Sequence, residues 1–233
     1  MFPTTRRIAI VGLMLIAAVC LRLGFWQVDR LGERRALKQA ALAARAKPPL
    51  DLGASVRRDA EALGDRWVEA RGVYDREHEL VLRGEAFRGA PGVLVVTPLR
   101  LAGSDTAVLV LRGFVPAPDA VRANTAALVE PGTVRVRGLA IPIRSGAGQP
   151  VEHAGRTTWA RLDLEALRAR LPYPLLPVAV RQTPDSSLPP SPRRLPPPEL
   201  SDGPHLNYAI QWFLFAGMAV AFAVLVVGRT KSP

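Results

Sequence analysis

The chain is poor in cysteine, lysine and histidine: one Cys (Cys20), three Lys and three His in 233 residues. A single cysteine excludes an intrachain disulfide, a CxxC redox or zinc pair and a CxxCH haem attachment. One Cys, three Met and three scattered His also leave no plausible sulfur-ligated copper site. A Gly-rich phosphate loop, internal repeats, a Gly-x-Ser-x-Gly elbow and a His-Glu-x-x-His helix are all missing. These absences close the sequence-visible routes to nucleotide binding, serine hydrolysis and zinc proteolysis, although a catalytic constellation assembled by folding stays open. Acidic residues are the minority charge, 20 against 31 basic, and 28 of the basic residues are Arg. The net charge of +11 invites a nucleic-acid reading, but acids lie between the arginines and no basic run with interleaved aromatics occurs. An Arg-rich surface near anionic lipid accounts for the excess.

Long apolar runs, by contrast, are present twice. Ile8 to Phe25 is 18 residues with Arg22 as its single charge. At about 1.5 Å per residue it measures roughly 27 Å, close to the hydrocarbon thickness of a bilayer. Ten of its residues are Leu, Ile, Val or Phe, which together favour insertion by roughly 3–6 kcal/mol. Arg22 lies one turn from the end and snorkels, so it costs less than the about 2.5–3.5 kcal/mol of a mid-membrane charge. Trp26 follows as an interfacial anchor. Ile210 to Val227 is the second run, with Gln211 as its one polar side chain, Tyr208, Trp212 and Phe213 at its start, and Arg229 and Lys231 beyond its end. Met1–Arg7 and Gly228–Pro233 each carry two basic residues. The positive-inside rule therefore puts both termini in the cytoplasm and the long middle segment outside. The stretch that closes the first run, Cys20-Leu-Arg-Leu-Gly-Phe-Trp26, offers no small-residue cleavage site. Val19 is a poor fit before a lipidated Cys20, and no Arg/Ser-rich transit peptide precedes Ile8. The prediction is an uncleaved two-span protein of a bacterial inner membrane with a periplasmic domain. Its cytoplasmic tails are too short for a sensor's output domain.

Between the runs, Trp26 to Ala46 has helical spacing at Arg30, Leu31, Arg34, Leu37, Lys38 and Leu42, and Pro48-Pro49 ends it. Strand-like segments follow: Trp67–Tyr74, Leu80–Leu82, Val93–Thr97 stopping at Pro98, Val108–Val115 stopping at Pro116, Thr133–Arg137 and Val178–Val180. A helical piece, Leu162–Leu171, interrupts them, with Trp159 and Asp163 packing it. Gly89, Pro91 and Gly92 read as a turn, and Arg112-Gly113 as a bulge or close approach within a strand. His78 and His153 read as surface residues. Pro184 to Pro204 holds eight of the 22 prolines and reads as an extended connector. An SH3-type ligand role for that stretch would belong in the cytoplasm, on the other side of the membrane. The expected organisation is 1–7 cytoplasmic, 8–25 first span, 26–47 helical extension, 48–183 β-rich periplasmic domain, 184–204 Pro-rich linker, 205–228 second span and 229–233 cytoplasmic tail. The fold class is two transmembrane α-helices flanking an α+β, mainly antiparallel β, extracytoplasmic domain, as an open sheet or partly closed barrel.

Four stretches, taken in order, resemble the surfeit locus protein 1 family of cytochrome c oxidase assembly factors. They are Gly24-Phe-Trp-Gln-Val-Asp-Arg-Leu31, Gly89-Ala-Pro-Gly-Val-Leu-Val-Val-Thr-Pro-Leu99, Val108-Leu-Val-Leu-Arg-Gly-Phe-Val-Pro116 and His205-Leu-Asn-Tyr-Ala-Ile-Gln-Trp-Phe213. The third departs from the family's usual pattern at Leu111, where Asn is usual, and at Phe114, where Trp is usual. The resemblance implies a non-enzymatic role in building haem–copper oxidases of the aa3 type. The step would be the one at which haem a reaches the catalytic subunit, with that subunit and the haem a synthesis machinery as partners. It also implies a histidine at the outer edge of the second span as a haem ligand.

The residues have their own reading beside this. Asp202 would cap a helix begun by Pro204, on which His205, Tyr208 and Trp212 share a face. Arg22, Trp26, Gln27 and Arg30 reach the same depth from the first span. Imidazole ligates haem iron, Arg pairs with propionates, and aromatic faces stack on a porphyrin. The candidate haem-binding set is His205, Tyr208, Trp212, Trp26 and Arg30, with His205 on the iron. Plainer roles compete for each: His205 bonding a headgroup or loop carbonyl, Trp26, Tyr208 and Trp212 as belt residues, Gln27 and Arg30 as a solvated helix face, and Gln211 bonding across to the first span. A membrane-anchored periplasmic scaffold for another complex is the alternative function.

Overall fold

The computed structural model describes residues 4–53, 63–125, 127–146, 148–153 and 156–228. Arg229, Lys231 and the His153 side chain lie outside what is described. The chain divides into two compact units, Met1–Ala40 with Glu199–Pro233, and Ala41–Pro198.

The first unit is built from α1 (Thr4–Ala46), which continues into the second unit, and α3 (His205–Gly228). The apolar run and the helical extension form one uninterrupted helix of 43 residues, ending just before Pro48. Ala17, Cys20, Gly24, Gln27 and Leu31 recur every three or four residues and are all buried. Ala209, Ala216, Ala219 and Ala223 form the buried stripe of α3. Small side chains on both stripes let the backbones approach closely. At Gly24 a Cβ would lie 2.6 Å from the Phe213 ring, and Phe25 meets the same ring edge-on at 5.3 Å. Arg6 donates to the carbonyls of Val226 and Val227 in the last turn of α3. The outward faces are apolar and exposed, as at Ile8, Leu15, Leu214 and Val224. Both helices are long and apolar enough to cross a membrane by length and composition.

Among the described residues the second unit holds nine strands: β1 (Leu50–Asp51), β2 (Trp67–Tyr74), β3 (Leu80–Phe87), β4 (Ala90–Leu101), β5 (Ala107–Pro116), β6 (Thr133–Pro142), β7 (Val151–His153), β8 (Arg156–Trp159) and β9 (Leu175–Gln182). Five of them close on themselves in the order β2-β6-β9-β5-β4, because β2 also pairs with β4 through Gly72↔Leu101 and Tyr74↔Leu99. The result is a small Greek-key barrel. Six pairings are antiparallel, but β1–β2, β3–β8 and β5–β9 are parallel, so the sheet is mixed. Val68, Ala70, Leu99, Leu101, Val108, Val110, Val136, Val178 and Val180 point inward and fill the barrel. Trp159 and the short helix α2 (Leu164–Arg168) cover its outer face, over Leu82, Leu94, Val96, Leu109, Leu111 and Phe114. Hence β5 is buried on both faces along most of its length.

Several expectations need amendment. Pro98 does not end its strand: β4 runs on to Leu101, and the Pro98 carbonyl accepts from Asp75 N at 2.8 Å. The turn is the two-residue loop Arg88-Gly89, both with positive φ (51° and 80°), as a type I′ hairpin requires. Pro91 and Gly92 belong instead to β4. The helical piece shrinks to α2, with Asp163 as its N-cap accepting from Ala166 N at 2.9 Å. The Pro-rich segment is not wholly a free connector. Arg193 bridges to Phe114 of β5, and the Arg194 side chain is buried in the barrel unit.

Candidate functional site

Polar chemistry gathers in both units. In the barrel, the inward residues nearest one end are Tyr74, Thr97, Arg112 and Gln182, in line with the apolar residues of the same strands. Arg112 is 1 % exposed. Its guanidinium donates to Glu79 (3.1 Å), Glu130 (2.8 Å) and the Leu128 carbonyl (2.7 Å), and it lies 4.8 Å over the Tyr74 ring. Arg194 reaches the same Glu130 oxygen at 2.5 Å and also donates to Gln182 Oε1 (3.1 Å). Thr97 Oγ1 donates to Glu79 at 2.8 Å. Burial, with Glu130 second, pushes the Tyr74 phenol well above its ordinary range. The site is a closed ionic plug. What it does is hold the Pro-rich segment onto the barrel.

The bulge expected at Arg112-Gly113 is present: Val95 faces Gly113, Val96 faces Leu111, and Arg112 is the extra residue. Gly113 has φ +150°, and a Cβ there would lie 2.4 Å from the Arg193 carbonyl. Leu111 and Phe114, the two departures from the family pattern, both pack in the outer core.

His78 is not a lone surface residue. Its Nδ1 donates to Asp75 Oδ2 at 2.9 Å, the Tyr173 hydroxyl donates to the same oxygen at 2.7 Å, and the two rings meet edge-on. Burial alone would raise the Asp75 carboxyl, but these hydrogen bonds outweigh it and hold it below the ordinary range. A carboxylate depressed in the folded state stabilises in full above its unfolded value of about 3.9. That contribution is lost as pH falls through the lower folded value. Asp75→Asn should therefore be less stable than wild type at pH 7, with the gap closing below about pH 4. Unfolding curves between pH 7 and pH 3 measure this, and a gap independent of pH would refute it.

The helical unit holds a further concentration. His205 opens α3, half-buried, and its Nδ1 lies 2.8 Å from the Gln27 Oε1 atom of α1. Gln27 is 9 % exposed, so it is not part of a solvated face. Its place in the stripe with Cys20, Gly24 and Leu31 was the readable signal. Asp202 does not cap α3. Its carboxylate accepts from Lys38 (2.9 Å) and Arg35 (3.4 Å), and Lys38 above all holds it below the usual carboxylate range. Trp26 and Tyr208 are each 48 % exposed. Trp212 meets Phe215 edge-on at 5.9 Å, Arg30 is ion-paired with Glu33, and Gln211 is exposed. Of the predicted set, then, His205 gains a specific buried partner, whereas Trp26 and Tyr208 stand at the exposed surface. Among the described residues no three His, Cys, Asp or Glu side chains converge as a metal site.

A model of the SURF1 family matches residues 14–217, from within α1 to within α3, and so takes in Gln27, the whole barrel unit and His205. The chain belongs to the SURF1 family. A SURF1-like protein of Monosiga brevicollis is 28 % identical over 231 residues, covering 92 % of this chain and 85 % of its own length. SURF1-family proteins are in general cytochrome oxidase assembly factors. The two apolar helices at the ends of this SURF1-family chain and the sheet-rich unit between them agree with the resemblance seen in its motifs.

Proposed function

We propose that this chain holds haem a, as cargo, on its way to the catalytic subunit of an aa3-type cytochrome c oxidase. It would act as an assembly factor and not as an enzyme. The observation that carries the reading is the His205–Gln27 pair. A half-buried imidazole whose Nδ1 is occupied by a carbonyl oxygen presents Nε2 as a donor for iron. The surrounding surface suits a flat amphiphile. Trp26, Leu206 and Tyr208 are exposed aromatic and aliphatic faces, and Arg30 at the same level offers a partner for propionates. The haem, when bound, would supply the iron that His205 ligates, and its tail would lie in lipid.

The matching setting is a bacterial inner membrane. Both long helices would span it with cytoplasmic termini, and the barrel would lie in the periplasm. Arg6 and Arg7 before the first run and Arg229 and Lys231 after the second support that orientation. Partners would be the oxidase catalytic subunit and the haem a synthesis machinery.

The test is a reduced-minus-oxidised spectrum of membranes from a deletion strain carrying no second copy. The strain is complemented with wild type or with His205→Ala. The a-type band should fall on deletion and return with wild type alone. Full restoration by His205→Ala would remove the ligand assignment and leave the assembly role. A band unchanged by deletion would remove both, in favour of a periplasmic scaffold for another complex.

A further inference from the structure

The buried stripe of α1 is apolar or glycine at Ala17, Cys20, Gly24 and Leu31, and polar at Gln27 alone. A primary amide at such a position costs free energy unless it is hydrogen-bonded. Its carbonyl oxygen stands 2.8 Å from His205 Nδ1. A carbonyl oxygen only accepts, so the proton of the neutral imidazole must sit on Nδ1, and the lone pair is left on Nε2. The opposite edge of the ring faces Gly203, at φ +73°, where a Cβ would lie 3.2 Å from Cδ2 and 3.4 Å from Nε2. One side of the imidazole is therefore fixed by a hydrogen bond, and the other is kept uncrowded by a residue without a side chain.

We propose that Gln27 is a positioning residue: it locks His205 as the Nδ1–H tautomer and thereby presents Nε2 to the haem iron, an inference that rests on the haem reading above. The same bond orients the ring and raises its basicity as a ligand. A purely structural clip between the two helices would need the contact but not the tautomer, which separates the two roles.

The experiment uses the full chain in detergent micelles with 15N-labelled histidine. His205→Ala assigns the His205 ring signals. In the haem-free protein, wild type should show Nδ1 protonated and Nε2 bare. Gln27→Leu should lose that pattern, and so should Gln27→Asn, which keeps the polarity but falls short of the ring. Gln27→Glu retains an acceptor and should keep the pattern. Haem a titration followed at the Soret band should then show Gln27→Leu and Gln27→Asn weakened about 10–100-fold, and Gln27→Glu close to wild type. A wild-type ring protonated on Nε2, or Gln27→Leu and Gln27→Asn that change the tautomer without changing affinity, would overturn the proposal. If wild type keeps the Nδ1–H tautomer but takes up no haem a through His205, the haem reading fails by itself. The tautomer lock then stands, and its role toward iron goes with that reading.

Discussion

Arg112→Met is expected to destabilise the barrel by about 3–5 kcal/mol, because it leaves two carboxylates buried without their common cation. Glu79 and Glu130 are nearly inaccessible, with side chains 8 % and 10 % exposed, so water cannot take over the role of the guanidinium. Arg194 remains as a partner for Glu130, but Glu79 keeps only the Thr97 hydroxyl. For a unit of this size the loss corresponds to a fall in Tm of about 6–20 °C, readable by thermal unfolding of the whole chain in detergent. Arg122→Met is the control. That side chain is 63 % exposed and pairs with Asp119 at 3.7 Å, so its loss should cost under about 1 kcal/mol. Equal shifts for the two variants would mean that the plug contributes no more than a surface pair.

Gly72→Ala should open the seam between β2 and β4. A Cβ at this position would lie 2.0 Å from the Arg100 carbonyl oxygen, a backbone atom that moves only if the strand moves. Overpacking against a rigid neighbour costs about 1–3 kcal/mol and sometimes more. The damage should be local. The β2–β4 amides should lose hydrogen-exchange protection by more than those of the β6–β9 pair. Gly217→Ala in α3, where a Cβ meets nothing within 4 Å, should leave protection unchanged. Uniform loss across all barrel strands would show that the seam is not a separate element of the closure.

What could be read from the sequence follows the range of the interactions involved. The long apolar runs and the strand Trp67–Tyr74 were visible because hydropathy and alternation are properties of neighbouring residues. The Arg112-Gly113 irregularity was visible because an Arg-Gly pair breaks a Val/Leu strand. Open sheet and partly closed barrel stayed as alternatives, since closure depends on β2 reaching β4 as well as β6, a pairing that leaves no local trace. Pro98 was read as a stop because proline lacks an N–H. It is tolerated within β4, where its carbonyl still accepts a bond from Asp75. The partners of Arg112 lie at positions 79, 130 and 194, distances over which no sequence pattern connects them. The candidate site shows the same division. His205 was legible as a residue type at a helix start, whereas its partner lies 178 positions away. For Gln27 a solvated face and a site role stayed open side by side, although its three- and four-residue spacing from Gly24 and Leu31 already placed it on the packed face.

The extra residue in β5 bears on which changes of length this strand can survive. Before Arg112 the outward side chains sit at odd positions, Leu109 and Leu111; after it the outward one is Phe114. The strand thus changes parity once, at a fixed place. Deleting Arg112 would take out the extra residue: Leu111 and Phe114 would then lie two positions apart, both outward, and the faces downstream would be kept. What that deletion loses is the guanidinium that Glu79 and Glu130 share. A one-residue deletion elsewhere in β5, with the bulge kept, exchanges the two faces on one side of it. Length is therefore a stricter requirement along the regular part of the strand than at the bulge.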